Sequence, residues 1–242
     1  GTLRSLLKWA EQINRPQDAP AMVNEAFVQM NSGKPGPVSL QIPWDILAER
    51  AEVELLDPIE VQRMSAPMSE IRAAADLIKR SKRPMIYVGG GALHAGKEVT
   101  RLAEVMGAPI ASFRSGRGVV SDDHPLTIML PVAAELWDET DLVVGIGSRL
   151  EGLYMRWNMM QWQERPKNPK VIRIDIDPKE MEFWPADQPL IGDAQPTVDA
   201  LTEILVKENF QFDDSFGRIS DVKEKVNDDI KSVQPQISFL EV

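Results

Sequence analysis

Pro84-Met85-Ile86-Tyr87-Val88-Gly89-Gly90-Gly91 reads as one apolar strand that ends on three consecutive glycines. Residues 85–88 form a short, continuous apolar run bounded by turn residues, the pattern of a strand buried on both faces. Outward from it the pattern repeats. A helix over about 70–81 precedes it, and a second over about 97–106 leads into another apolar run, 109–113. Residues 142–146 and 171–174 are further short, β-branched-rich runs, and 190–191 is a brief last one before a helix over about 197–206. Helices alternating with apolar strands predict a doubly wound α/β fold, a parallel sheet with helices on both faces.

The flanks have a different character. A helix is expected over 18–32, with Asp18 as N-cap, Pro20 in its first turn, and Met22, Ala26, Phe27 and Met30 on one face. Gly33 stops it, Lys34-Pro35-Gly36-Pro37 turns the chain, and 38–42 alternates like a strand that Pro43 ends. One helix and one strand cannot bury their apolar faces alone, so this piece calls for partners elsewhere. Residues 48–67 are charged and proline-spotted, as a connector would be. Past 206 the chain turns acidic and irregular, offers a polar helix over 222–230, and is broken by Gln234-Pro235-Gln236. The expected organisation is therefore a remnant of one domain at 1–47, a linker at 48–67, a central domain at 68–206, and the lead into a third domain at 207–242.

Composition narrows the function classes. The formal net charge is −10, with 27 Lys and Arg against 37 Asp and Glu, so a nucleic-acid partner, which needs a basic face, is not expected. No apolar stretch approaches the length of a membrane span, and neither a membrane partner nor a location outside the cytoplasm is expected. There is no cysteine, which removes disulfides, thiolate catalysis and cysteine-held metals. The two histidines, His94 and His124, lack ligand-like spacing, so no metal site is expected within these 242 residues.

In open parallel sheets ligands bind beyond the carboxyl ends of strands, so the residues after each strand carry the candidates. Gly89-Gly90-Gly91 could bring backbone amides to a phosphate or simply make a tight turn. The dinucleotide fingerprint fails, because its third glycine position is His94. Arg114 and Gly116 follow the second run, and Ser148 and Arg149 follow 142–146. Arginines at strand ends suit an anion held by bidentate hydrogen bonds, or a structural ion pair. Asp175 could accept from ribose hydroxyls. Asp177, just before Pro178, reads better as a helix cap, and Asp193 is either a ligand contact or a turn residue. Tyr154-Met155-Arg156-Trp157, continuing to Trp162, is a Met- and aromatic-rich stretch suited to packing or to covering a ligand.

Taken in order, these pieces resemble the thiamine-diphosphate-dependent enzymes of the acetolactate synthase and benzoylformate decarboxylase type. Ser32-Gly33-Lys34-Pro35-Gly36-Pro37-Val38 with Gln41-Ile42-Pro43-Trp44-Asp45 resembles the segment closing that family's pyrimidine-binding domain. Pro84 through Gly91 resembles the opening of its central domain. Gly107-Ala108-Pro109-Ile110, Asp141-Leu142-Val143-Val144, Gly147-Ser148-Arg149-Leu150, Ile174-Asp175-Ile176-Asp177 and Gly192-Asp193 follow in that domain's order.

The resemblance implies a piece of a 2-oxo acid decarboxylase or carboligase that lacks the catalytic centre and is inactive alone. The family's activating glutamate is expected upstream of Gly1. Its Gly-Asp-Gly and Asn-Asn magnesium motif is expected in the third domain, because here Ala194 follows Gly192-Asp193 and no Asn-Asn occurs. Thiamine diphosphate and Mg²⁺ would thus be held by other domains of the same chain, in a homodimer or homotetramer. Some members of the family bind FAD or an adenine nucleotide in the central crevice. In others that crevice is empty. Met129-Leu130-Pro131-Val132-Ala133-Ala134 stands where flavin-binding synthases carry Gly-Met-His-Gly, which argues against FAD and leaves a weakly held ADP-like nucleotide or an empty crevice. On this view Gly89, Gly90, Gly91, Arg114, Gly116, Ser148, Arg149, Asp175 and Asp193 are the cofactor-binding candidates. A self-standing nucleotide-binding module of the electron-transfer flavoprotein type is the competing expectation.

Overall fold

Six strands order the larger part of the molecule, and all six run parallel. The computed structural model describes residues 2–150, 169–183, 186–210, 212 and 216–232. It divides into two compact units, 1–63 and 64–242.

In the second unit the elements alternate as the sequence predicts. They are α4 (Met68–Arg80), β3 (Pro84–Val88), α5 (Gly96–Met106), β4 (Ile110–Ser112), β5 (Thr127–Ile128), α6 (Leu130–Leu136), β6 (Leu142–Ile146), β7 (Lys170–Asp175), α7 (Glu180–Phe183), β8 (Gln188–Ile191), α8 (Ala194–Lys207) and α9 (Phe216–Ser232). The elements before them, all in the first unit, are α1 (Thr2–Leu6), β1 (Trp9–Gln12), α2 (Ala19–Asn31), β2 (Val38–Gln41) and α3 (Trp44–Ala48).

The sheet order is β5-β4-β3-β6-β7-β8. The strand at the middle of the sequence pattern, β3, is also central in space. It pairs with β4 through Ile86↔Ile110 and with β6 from Pro84↔Leu142 to Val88↔Ile146. Every residue of β3 and β6 is buried, which is why both read as unbroken apolar runs rather than alternating ones. The chain winds outward from β3 to one edge, returns, and winds to the other from β6. The switch point between β3 and β6 is where such sheets open a crevice.

The helices follow from 3.6-residue spacing. Ile71, Ala74, Ala75 and Ile78 form the buried stripe of α4, and Val99, Leu102, Ala103 and Met106 that of α5. Gly107 ends α5 at φ +57, a left-handed cap that glycine takes without a Cβ penalty. Helices α4, α5 and α8 pack together, while α6 packs with α9. Ile219 and Val226 of α9 are buried in the same core as β3, so the polar segment after 206 contributes a packed helix to this unit. Strand β5 and helix α6 are not marked by the sequence pattern. Pro131 falls in the first turn of α6, where its missing N–H leaves no helical bond unmade.

Residues 64–66 are bound to this unit. The Met64 N–H donates to Asp193 Oδ2 at 2.8 Å, the Asp193 N–H to Met64 O at 2.7 Å, and the Ala66 N–H to Thr197 Oγ1 at 3.0 Å.

In the first unit β1 pairs with β2 in parallel, from Trp9↔Val38 to Gln12↔Gln41. Helix α2 begins close to where it is expected, with Asp18 at its N-cap position, but the Asp18 side chain makes no capping bond. Its carboxylate instead takes Arg15 Nη2 and Nε at 2.7 and 2.9 Å. Phe27, Trp44 and Leu47 remain exposed. The aromatic stretch 154–162 and Gln234-Pro235-Gln236 lie outside the described residues.

Candidate functional site

The loops that leave β3, β4 and β6 at their carboxyl ends meet around a cavity of about 320 Å³. Its lining takes Gly89, Gly90 and Gly91 from the first loop, Phe113, Arg114 and Ser115 from the second, and Gly147, Ser148 and Arg149 from the third. Seven of the nine candidates therefore lie in or against one crevice, Gly116 being the one that shapes it without lining it.

Glycine is required here by close approach. A Cβ on Gly89 would lie 2.3 Å from Gly147 O, one on Gly116 2.2 Å from Val88 O, and one on Gly147 2.4 Å from Gly91 C. Gly147 is also at φ +55. The loops are stacked backbone on backbone, and the bonds follow: Gly89 N–H donates to Ile146 O at 3.0 Å and Gly91 N–H to Gly147 O at 3.0 Å. Two of the three glycine amides are thus committed to the fold, which supplies the tight turn that the sequence left as one alternative.

The charge of the crevice comes from two arginines. Arg114 adopts φ +49, an uncommon state for a residue with a Cβ, and its guanidinium lies 4.8 Å from the centroid of the Phe113 ring. Arg149 is held by Glu180, with Nε to Oε2 at 3.0 Å and Nη2 to Oε1 at 2.9 Å. No carboxylate is among the described residues that line the cavity, so it presents hydroxyls and guanidiniums, a donor set matched to an anion.

Asp175 and Asp193 do not line this cavity. Asp175 Oδ1 accepts from the Asp177 N–H at 3.0 Å, and Asp177 Oδ1 accepts from the Lys179 N–H at 3.0 Å, in keeping with its capping role. Asp193 is engaged by Met64, at the start of α8. The residues that sequence reasoning missed are Ser115, Glu180 and Arg173. Ser115 was flanked by two candidates. Arg173 had a visible signal, a cation inside the apolar run of β7, where it is fully buried. A wider cavity, about 500 Å³, lies at the start of α5, but its Gln195 and Glu98 are bonded to each other and it brings together no pair of strand-end cations. Among the described residues no group of three His, Asp or Glu side chains comes together to hold a metal, and no helix is long and apolar enough to cross a membrane.

Residues 71–201 match the family model of the thiamine pyrophosphate enzymes, central domain. The chain is 32% identical over 201 residues to Probable 2-ketoarginine decarboxylase AruI of Pseudomonas aeruginosa, covering 80% of this chain and 35% of that one. It is 29% identical to the probable acetolactate synthase large subunit of Methanocaldococcus jannaschii, across 98% of this chain and 43% of the relative. A 2-hydroxyacyl-CoA lyase of Arabidopsis thaliana is 25% identical over 98% of this chain and 42% of its own. The chain thus spans well under half the length of these relatives. A crystal structure from Mycobacterium smegmatis, provisionally assigned as a thiamin diphosphate-dependent enzyme, superposes with a TM-score of 0.62 at 24% identity, covering 82% of this chain and 39% of that one, and shares the fold. The comparisons lend no support to a self-standing electron-transfer module.

Proposed function

The chain belongs to the thiamine pyrophosphate enzymes through their central domain, and from that membership we propose that the whole protein is a thiamine-diphosphate-dependent decarboxylase or carboligase of 2-oxo acids. The relatives named as a decarboxylase, a synthase and a lyase support this reading. Within it, the α/β unit is a scaffold whose crevice takes an ADP-like nucleotide rather than FAD.

One observation carries the nucleotide reading. Two loops from opposite sides of the switch point deliver Arg114 and Arg149 to a glycine floor on which a diphosphate can rest. Ser115 and Ser148 add hydroxyl donors, and the Phe113 ring adds an apolar wall. Against FAD stands α6, an ordinary helical turn with Pro131 in it, at the stretch where a resemblance to flavin-binding synthases would call for Gly-Met-His-Gly. Thiamine diphosphate and Mg²⁺ belong, on this proposal, to other domains of the same protein, since Ala194 rather than glycine follows Gly192-Asp193 in these 242 residues. A homodimer or homotetramer in the cytoplasm completes the proposal.

The experiment is turnover of a panel of 2-oxo acids by the full-length protein with and without thiamine diphosphate and Mg²⁺. Turnover that disappears with the cofactor is expected. No turnover of any 2-oxo acid by cofactor-loaded protein would refute the assignment.

A further inference from the structure

Arg149 does not reach the crevice by itself. Glu180 opens α7, and its side chain is only 9% exposed against 57% for Arg149. Its two carboxylate oxygens take the Nε and Nη2 of Arg149 in a bidentate pair at 3.0 and 2.9 Å. Beneath both lies Arg173, which donates from Nη1 to Glu180 O at 2.7 Å and from Nη2 to Ser148 O at 3.2 Å. One buried cation in β7 thereby fixes the peptide before Arg149 and the backbone of the residue that grips its side chain.

We propose that Glu180 is a positioning residue for an anionic ligand of the crevice, clamping the Arg149 guanidinium over the glycine floor; this rests on the nucleotide reading given above. An untethered arginine gives up its rotamer freedom when it meets an anion, whereas a clamped one has lost it before the ligand arrives. The fork of a bidentate pair fixes the plane of the guanidinium as well as its position. The carboxylate charge itself acts against an anion, so the sign of the effect of its removal separates placement from charge.

The test is calorimetric titration of ADP into the full-length protein and its variants. Glu180→Gln is expected to weaken ADP about tenfold, the loss of one well-placed charge-assisted contact. In an Arg149→Ala background the same substitution is expected to change nothing, because the side chain that Glu180 positions has gone. Glu180→Asp keeps the charge but shortens the reach, and is expected to weaken ADP by a smaller factor. It also carries the test if the Gln variant melts early. ADP affinity unchanged or tightened in Glu180→Gln overturns the proposal, as does an equal loss in the Arg149→Ala background. Wild-type protein that binds no ADP removes the crevice reading and this proposal together. Wild-type binding with insensitive Glu180 variants removes the proposal alone.

Discussion

Gly89 and Gly147 are stacked backbone to backbone across the switch point, so closely that a Cβ on Gly89 would come within 2.3 Å of the Gly147 carbonyl oxygen. That contact joins the loop after β3 to the loop after β6 and sets the floor of the crevice. It exists because both positions lack a side chain, and neither neighbour is a flexible side chain that could move aside.

Gly147→Ala is accordingly expected to be severely destabilising. The residue is left-handed at φ +55, and the new methyl would meet Gly91 C at 2.4 Å and Gly91 Cα at 2.5 Å. Backbone strain of about 1–2 kcal/mol and overpacking of about 1–3 kcal/mol both apply. Chemical denaturation should show a loss of at least about 2 kcal/mol, at the low end of those combined costs. A loss below about 0.5 kcal/mol, the scale of an ordinary surface substitution, would mean that the loops are not stacked as described.

Arg173→Met should also destabilise, by a different route. The substitution fits an apolar strand, but it leaves Ser148 O and Glu180 O without the donor they now share. An unpaired buried acceptor costs about 1–3 kcal/mol, and Glu180 O is buried while Ser148 O is only partly so, which makes a loss of about 1–3 kcal/mol the expected result of denaturant unfolding. A neutral or stabilising outcome would show that Arg173 is not needed to hold the two loops.

Asp187 gives a pH dependence with a defined sign. Burial pushes its carboxyl up, but Lys170 at 2.6 Å and the Val171 N–H at 2.9 Å outweigh that and hold it below the usual carboxylate range. A folded-state pKa lowered relative to the unfolded chain contributes stability above the unfolded value, and loses it as pH falls through the folded value. Because the group is partly exposed, the contribution is about 1 kcal/mol at neutral pH. Asp187→Asn should be less stable than wild type at pH 7, with the gap closing below about pH 4. A gap that stays constant down to acid would contradict the assignment.

Much of the fold is legible in the sequence because β3 and β6 are buried on both faces and α4 and α5 carry clean helical stripes. Strand β5 is not legible, since Thr127 and Ile128 alone carry no periodicity. Helix α6 is hidden by Pro131, which reads as a breaker until its place in the first turn is known. Strand β1, Trp9-Ala10-Glu11-Gln12, is half polar and becomes a strand by pairing with β2. The glycines and arginines of the crevice were visible as residues that follow strands. Glu180 was not, because its role is set by a partner 31 residues away that only the fold brings near. Asp193 looked like a ligand contact for the same reason in reverse: its partner, Met64, lies 129 residues earlier.

The crevice is tested most directly by titrating the full-length protein with ADP and with FAD, and repeating both with Arg149→Ala. ADP is expected to bind, FAD is expected neither to copurify nor to bind tightly, and the substitution is expected to weaken ADP about tenfold to a hundredfold, the loss of a bidentate charge-assisted contact. Protein that purifies yellow with flavin, or ADP affinity untouched by Arg149→Ala, would contradict this reading of the crevice.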